Sequence, residues 1–244
     1  MHDVWCAARR DFFRQFAVLG GGLAVPVSAL GGGGRGEEKA AGEEHAEEIT
    51  PTEDLMREHG VLNRVLLVYE EGLRRMDEGE ELPPETLRNA AGIVRNFIEN
   101  YHEKNEENYL FPRFEKAHKL VELVAILRAQ HQAGRELTDS IERLATPESL
   151  RNETRRSELS EAIRLFIRMY RPHEAREDTV LFPALRTIVS AHEYAALGED
   201  FEDREHELLG EDGFEKMVDT VGGIEKTLGI YELSKFTPPS AKTK

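Results

Sequence analysis

His102 and Glu106 stand four residues apart, and so do His173 and Glu177. On a helix, residues i and i+4 project from one face a turn apart, so each pair aims an imidazole and a carboxylate at one place. A single such pair is also what a buried histidine hydrogen-bonded to a glutamate would leave. Two pairs at matched spacing, joined by lone histidines at His59 and His131, are harder to explain that way. Burying four imidazoles and two carboxylates in a small core is very costly without a counter-charge. A bound cation removes that cost. Six donors exceed the four of a tetrahedral zinc site and point to two metal ions sharing bridging carboxylates. Imidazole and carboxylate without thiolate suit iron, with manganese or zinc as weaker expectations. The one cysteine, Cys6, excludes a disulfide framework within the chain and a thiolate-held cluster.

The segments carrying these residues read as helices. Leu55, His59, Leu62, Leu66, Tyr69, Leu73 and Met76 alternate steps of four and three, the seam of a bundle helix. A second seam follows Pro83-Pro84 through Leu87, Ala91, Val94, Ile98, His102, Glu106 and Tyr109. A third runs from Leu120 through Val124, Leu127, His131, Gly134, Thr138 and Ile141 to Ala145, and Pro147 stops it. The fourth is Leu159, Ile163, Phe166, Tyr170, His173, Glu177 and Val180. The chain also repeats itself: His-Glu-x-x-Glu-acid-x-x-Leu-Phe-Pro at 102–112 returns at 173–183, and His59 returns at His131. Two helical hairpins folded about a pseudo-twofold bring all six side chains into one core. The expected fold is therefore all-α, an up-down-up-down four-helix bundle over 51–210 including a fifth helix, with a further C-terminal helix and tail over 211–244. Thr50-Pro51-Thr52-Glu53 has the form of a capping box with proline at the first helical position.

Two stretches precede the bundle. Arg9-Arg10 and Phe12-Phe13 lead into an apolar segment ending at Val27-Ser28-Ala29, which resembles a twin-arginine export signal over 1–29. Its apolar part is too short to span a bilayer. Residues 30–50 form a Gly/Ala/Glu run without apolar periodicity, the composition of a solvated linker, and His45 lies in it. The signal predicts an exported protein, periplasmic or otherwise extracytoplasmic, with no membrane segment in its mature form. With 47 acidic against 32 basic residues, a net charge of −15, the chain lacks the basic surface that nucleic-acid binding requires.

His59, His102-x-x-x-Glu106, His131 and His173-x-x-x-Glu177, with Leu-Phe-Pro after each pair, resemble the hemerythrin-like (HHE cation-binding) domain over roughly 50–210. The resemblance implies a non-haem di-iron centre bridged by Glu106 and Glu177, with the four histidines as terminal ligands and open positions for O2 or a related small oxidant. It leaves the electron donor unnamed. Two departures qualify it. Oxygen-carrying hemerythrins have a second histidine one turn along the third helix, where this chain has Arg135. Their fourth helix ends the motif with aspartate at i+5; Asp178 stands there, but the internal repeat favours Glu177. The expected function is binding, sensing or storage of a small oxidant or iron handling, with an oxidoreductase acting on peroxide or nitric oxide as the alternative; a ligand set poorer in histidine favours redox chemistry with peroxide, O2 or nitric oxide, or iron handling, over reversible O2 carriage. A ferritin-like Glu-x-x-His pair occurs once, at Glu99 and His102, and fails at Tyr170 in the second copy.

His206 follows Arg204-Glu205 as His59 follows Arg57-Glu58, which makes it a possible additional ligand, although it falls beside the seam of Leu197, Phe201 and Glu205. His118 and His192 are expected on the surface. Glu103 and Glu174, next to the paired histidines, are expected to be solvated, and Tyr69, Tyr101, Tyr109 and Tyr170 to pack the core.

Overall fold

The computed structural model describes residues 49–239. The segment expected to be an export signal, Cys6, His45, nearly all of the expected linker and the last five residues lie outside them. Helix α1 (Pro51–Glu78) starts on the anticipated capping box: the Thr50 side chain accepts from the Glu53 backbone N–H while Glu53 accepts from that of Thr50. Gly79, at φ 70°, ends it in the left-handed conformation that glycine adopts without strain.

Helix α2 is one rod of changing pitch. An α segment, Pro84–Ile93, passes into a π segment, Val94–His102, then a short α turn, Glu103–Asn105, a second π segment, Glu106–Leu110, and a last α turn, Phe111–Lys116. Helix α3 is Val121–Leu144. A short helix, Pro147–Arg151, leads into α4, whose α segment Glu153–Arg176 continues through a π segment, Glu177–Leu181, to Phe182–Leu185. Two more helices follow, α5 (Ala191–Leu209) and α6 (Gly213–Leu228), before a 3₁₀ turn, Leu233–Phe236. Among the described residues there is no strand. None of their helices is long and apolar enough to cross a membrane.

The two π segments that end before a Phe-Pro pair, Glu106–Leu110 and Glu177–Leu181, have a local cause. The Phe111 N–H bonds to the Glu106 carbonyl and the Phe182 N–H to that of Glu177, each five residues back. The next residue in both copies is proline, which has no N–H and whose ring crowds the carbonyl four residues earlier. Widening the turn relieves the crowding, and such turns recur at functional sites. They also correct the expected seams. Tyr109 and Val180 are only half-buried, and their neighbours Leu110 and Leu181 take the core positions.

The core has two apolar clusters. Along α1 the change from one to the other falls between Leu55 and Leu62, either side of His59. On α2 it falls between Ile98 and Leu110, on α3 between Leu127 and Ile141, and on α4 between Tyr170 and Leu181. The two clusters come in opposite order on successive helices, so the four run up-down-up-down, and their shared boundary is a layer of His and Glu. Helix α5 adds Leu197 and Phe201 to one cluster, and α6 adds Val221, Ile224 and Leu228 to the other.

Candidate metal centre

Two overlapping groups of potential ligands occupy the layer: His59, His102, Glu106 and Glu177, and His131, His173, Glu106 and Glu177. Within each group one ligand atom from every residue lies within 4.8 Å of the others, and all six residues are buried. The two glutamates belong to both groups. This is the arrangement expected of carboxylates shared between two positions.

All four imidazoles turn Nε2 toward the glutamates. His59 Nε2 is 3.4 Å and His173 Nε2 3.1 Å from Glu177 Oε2, while His131 Nε2 is 3.4 Å and His102 Nε2 3.8 Å from Glu106 Oε2. Nδ1 faces outward in each ring and meets an oxygen: Asp178 for His59 at 2.7 Å, Glu58 for His102 at 2.6 Å, Glu107 for His131 at 3.1 Å, and Gln130 for His173 at 2.9 Å. With a proton on Nδ1, each Nε2 keeps its lone pair toward the centre, the state a metal ligand needs.

The apolar frame repeats with the same symmetry. His59 stacks on Phe182, centroids 5.6 Å apart, and His131 on Phe111 at 5.5 Å, so the phenylalanine of each Leu-Phe-Pro holds the lone histidine of the other hairpin.

Buried polar atoms are normally hydrogen-bonded. Here His59 Nε2, His131 Nε2 and both carboxylate oxygens of Glu106 and of Glu177 have no hydrogen-bond partner. Six unpartnered atoms converging in one layer are what a cation would satisfy. Without one, the layer shifts the protonation of its own groups. Burial, then repulsion from Glu177, drives the Glu106 carboxyl far above its ordinary range, whereas for Glu177 burial is outweighed by His173 and His59, which hold it ionised. Burial would lower His59, but the Asp178 hydrogen bond and Glu177 overcome it and raise the imidazole to about 10. Desolvation lowers His102 and His131.

Glu177 rather than Asp178 lies in the ligand groups, as the repeat favours; Asp178 backs His59 from outside. His206 is exposed on α5, next to the buried Glu205, and belongs to none of the ligand groups found among the described residues. His118 and His192 are exposed. Glu103 and Glu174 depart from expectation, being buried rather than solvated. Glu103 accepts from Tyr170 Oη at 2.7 Å and from Arg135 at 2.7 Å, and Glu174 accepts from Asn63. Burial raises both carboxyls to about 8. Tyr170 therefore packs the core, as expected, and also binds Glu103. Its hydroxyl lies so close to α3 that a Cβ on Gly134 would come within 2.1 Å of it. A third acidic grouping, Glu103, Glu107 and His131, is spanned by Arg135, which bonds both glutamates. Sequence reasoning missed Glu58, Glu107 and Gln130, the outer partners of the imidazoles. The signal was there: Glu58 and Gln130 stand at the repeat offset of their neighbouring histidines, as do Glu107 and Asp178.

A helical bundle with a buried layer of histidines and shared glutamates defines a metal-binding protein of the imidazole–carboxylate class. The hemerythrin HHE cation-binding domain model matches residues 50–152, a span holding His59, His102, Glu106 and His131, so the chain carries that domain. Over 190 residues it is 50% identical to proteins of Mycobacterium bovis (strain ATCC BAA-935 / AF2122/97) and Mycobacterium tuberculosis (strains CDC 1551 / Oshkosh and ATCC 25618 / H37Rv), each described as uncharacterized. The alignment covers 78% of this chain and 74% of each relative. No solved structure matches.

Proposed function

We propose that the protein is an exported non-haem di-iron protein that binds a small oxidant, O2 or a chemical relative, for binding, sensing, storage or iron handling. The observation that carries this is the sharing of Glu106 and Glu177 between two groups, each completed by a pair of histidines. Four nitrogens and two bridging-capable carboxylates without thiolate suit iron better than manganese or zinc. Bound there, a pair of iron ions would supply reversible electron transfer to a small oxidant. The chain's own residues hold the imidazoles by Nδ1, exclude water with the two apolar clusters, and keep the carboxylates converged. Export through a twin-arginine-type route to an extracytoplasmic compartment rests on the Arg9-Arg10 motif alone.

The reading is tested by metal analysis and visible absorption of the chain loaded anaerobically with iron. Two ions per chain and an oxo-bridged spectrum after oxidation are expected. Fewer than one ion, or zinc alone from iron-replete cells, would sink it. A second reading, an oxidoreductase acting on peroxide or nitric oxide, is favoured by Arg135. That side chain takes the place of a further histidine and is tied to Glu103 and Glu107. Mixing the reduced protein with air separates the two. A species reversed by removing O2 supports binding, and irreversible oxidation with peroxide consumption supports turnover.

A further inference from the structure

The outer partners of the centre obey the same internal repeat as the ligand candidates, and the places where the repeat breaks all change charge. Asp178 behind His59 corresponds to Glu107 behind His131, an acid for an acid. Glu58 behind His102 corresponds to Gln130 behind His173, so a carboxylate on one side faces a neutral amide on the other. Glu174 is held by Asn63, whereas its counterpart Glu103 is held by Tyr170 and by Arg135, the residue at the repeat position of Asn63, so a neutral amide on one side is matched by a cation on the other. Arg135 also bonds Glu107, and so does Lys104, whose counterpart is Ala175. The geometry of the two halves is matched: the His59–His102 rings are 4.7 Å apart at 54°, and the His131–His173 rings 5.0 Å apart at 53°. Shape is conserved between the halves and charge is not.

A carboxylate accepting from Nδ1–H makes an imidazole a more basic ligand than an amide does, and loss of such partners weakens metal binding by about 10–100-fold. A guanidinium close to one half further opposes a cation there. We propose that the two metal positions are inequivalent: the His59/His102 position is the tight one, and the His131/His173 position is the weaker, exchangeable one, made so by Gln130 and Arg135. This rests on the metal-centre reading above, and deepens it by assigning an order of loading and release.

The metal-free chain, titrated with cobalt(II) and followed by its visible bands, tests the assignment. Two steps are expected, separated by tenfold or more in affinity. His59→Ala should remove the tighter step and His131→Ala the weaker. Gln130→Glu, which keeps the side-chain size, should tighten the weaker step by about tenfold, and adding Arg135→Asn should tighten it further. Glu58→Gln should weaken the tighter step by about the same factor. Circular dichroism confirms folding, and if the double variant does not fold, Gln130→Glu alone carries the result. Two indistinguishable steps, survival of the tight step in His59→Ala, or a folded Gln130→Glu with unchanged binding would overturn the inequivalence while leaving a two-metal centre in place. A wild-type chain that takes up no cobalt would overturn both.

Discussion

At the scale of single residues, the converging atoms set the expectations. Glu106→Ala and Glu177→Ala should each lower bound metal per chain severely, because each carboxylate is common to both ligand groups. His118→Ala, an exposed change on a turn, should not alter it. Equal occupancy in all three would refute this assignment of roles. Gly134→Ala probes something else. Its new methyl would meet the Tyr170 hydroxyl, and overpacking of this kind costs about 1–3 kcal/mol. The Tyr170–Glu103 hydrogen bond would be disturbed with it, and a lowered urea midpoint would show the effect.

The metal-free protein should also carry a pH signature. Burial pushes Glu103 and Glu174 up to about 8 in the folded chain against 4.5 for a free side chain, while for His59 burial is outweighed by the Asp178 and Glu177 carboxylates, which raise it to about 10 against 6.5. Between pH 6.5 and 8 the folded state therefore binds more protons than the unfolded one, and stability must fall as pH rises. The contribution of His59 is complete below 6.5 and is lost as pH climbs through 10. His102 and His131, lowered by burial, oppose this fall near pH 6.5, where the unfolded imidazoles are still partly protonated, and add little slope toward pH 8, where they are neutral in both states. Urea midpoints of the metal-free chain should drop from pH 6.5 to 8, and metal loading should flatten the trend, since a ligating His59 is already neutral.

At the scale of elements, the converging His and Glu residues were legible because a candidate metal site imposes a spacing. His-x-x-x-Glu, repeated, located both helices and four of the six side chains. The pitch of α2 was less legible, though its cause lay in the sequence. Val94, Ile98, His102, Glu106 and Leu110 follow one another in steps of four. Each such step overshoots a full α-helical turn by about 40°, so an ordinary helix would carry the row around its surface. π turns absorb the drift and keep the row on one face. A reading with ordinary pitch placed Tyr109 and Val180 on the seam for that reason. The burial of Glu103 and Glu174 was illegible because local pattern cannot show which helix lies opposite, and Arg135 and Asn63 are their counterparts across the bundle. A local signal that did suffice was the capping box. Thr50→Ala should cost about 1 kcal/mol of stability and leave metal content unchanged.

At the scale of the molecule, the acidic composition mostly describes solvated faces, yet a handful of buried acids decide the chemistry. Ligand binding to the folded state alone raises stability by about 2.7 kcal/mol at a hundredfold excess over the dissociation constant. The thermal midpoint should therefore climb on metal loading and fall on chelation. An unchanged midpoint would mean that the buried carboxylates and imidazoles are balanced by something other than a cation.

The layer of His and Glu parts two oily cores, each roofed by its own additional helix, α5 for one and α6 for the other. Stripped of metal, that layer is a seam of weakness running across all four helices, and the halves on either side need not melt together. Hydrogen exchange on the metal-free chain should resolve two blocks, one containing Phe201 and Phe114, the other Val221 and Phe166. Loaded with metal, the protein should exchange as one. The centre would then serve as a rivet as well as a binding site, joining two small proteins that happen to share four helices.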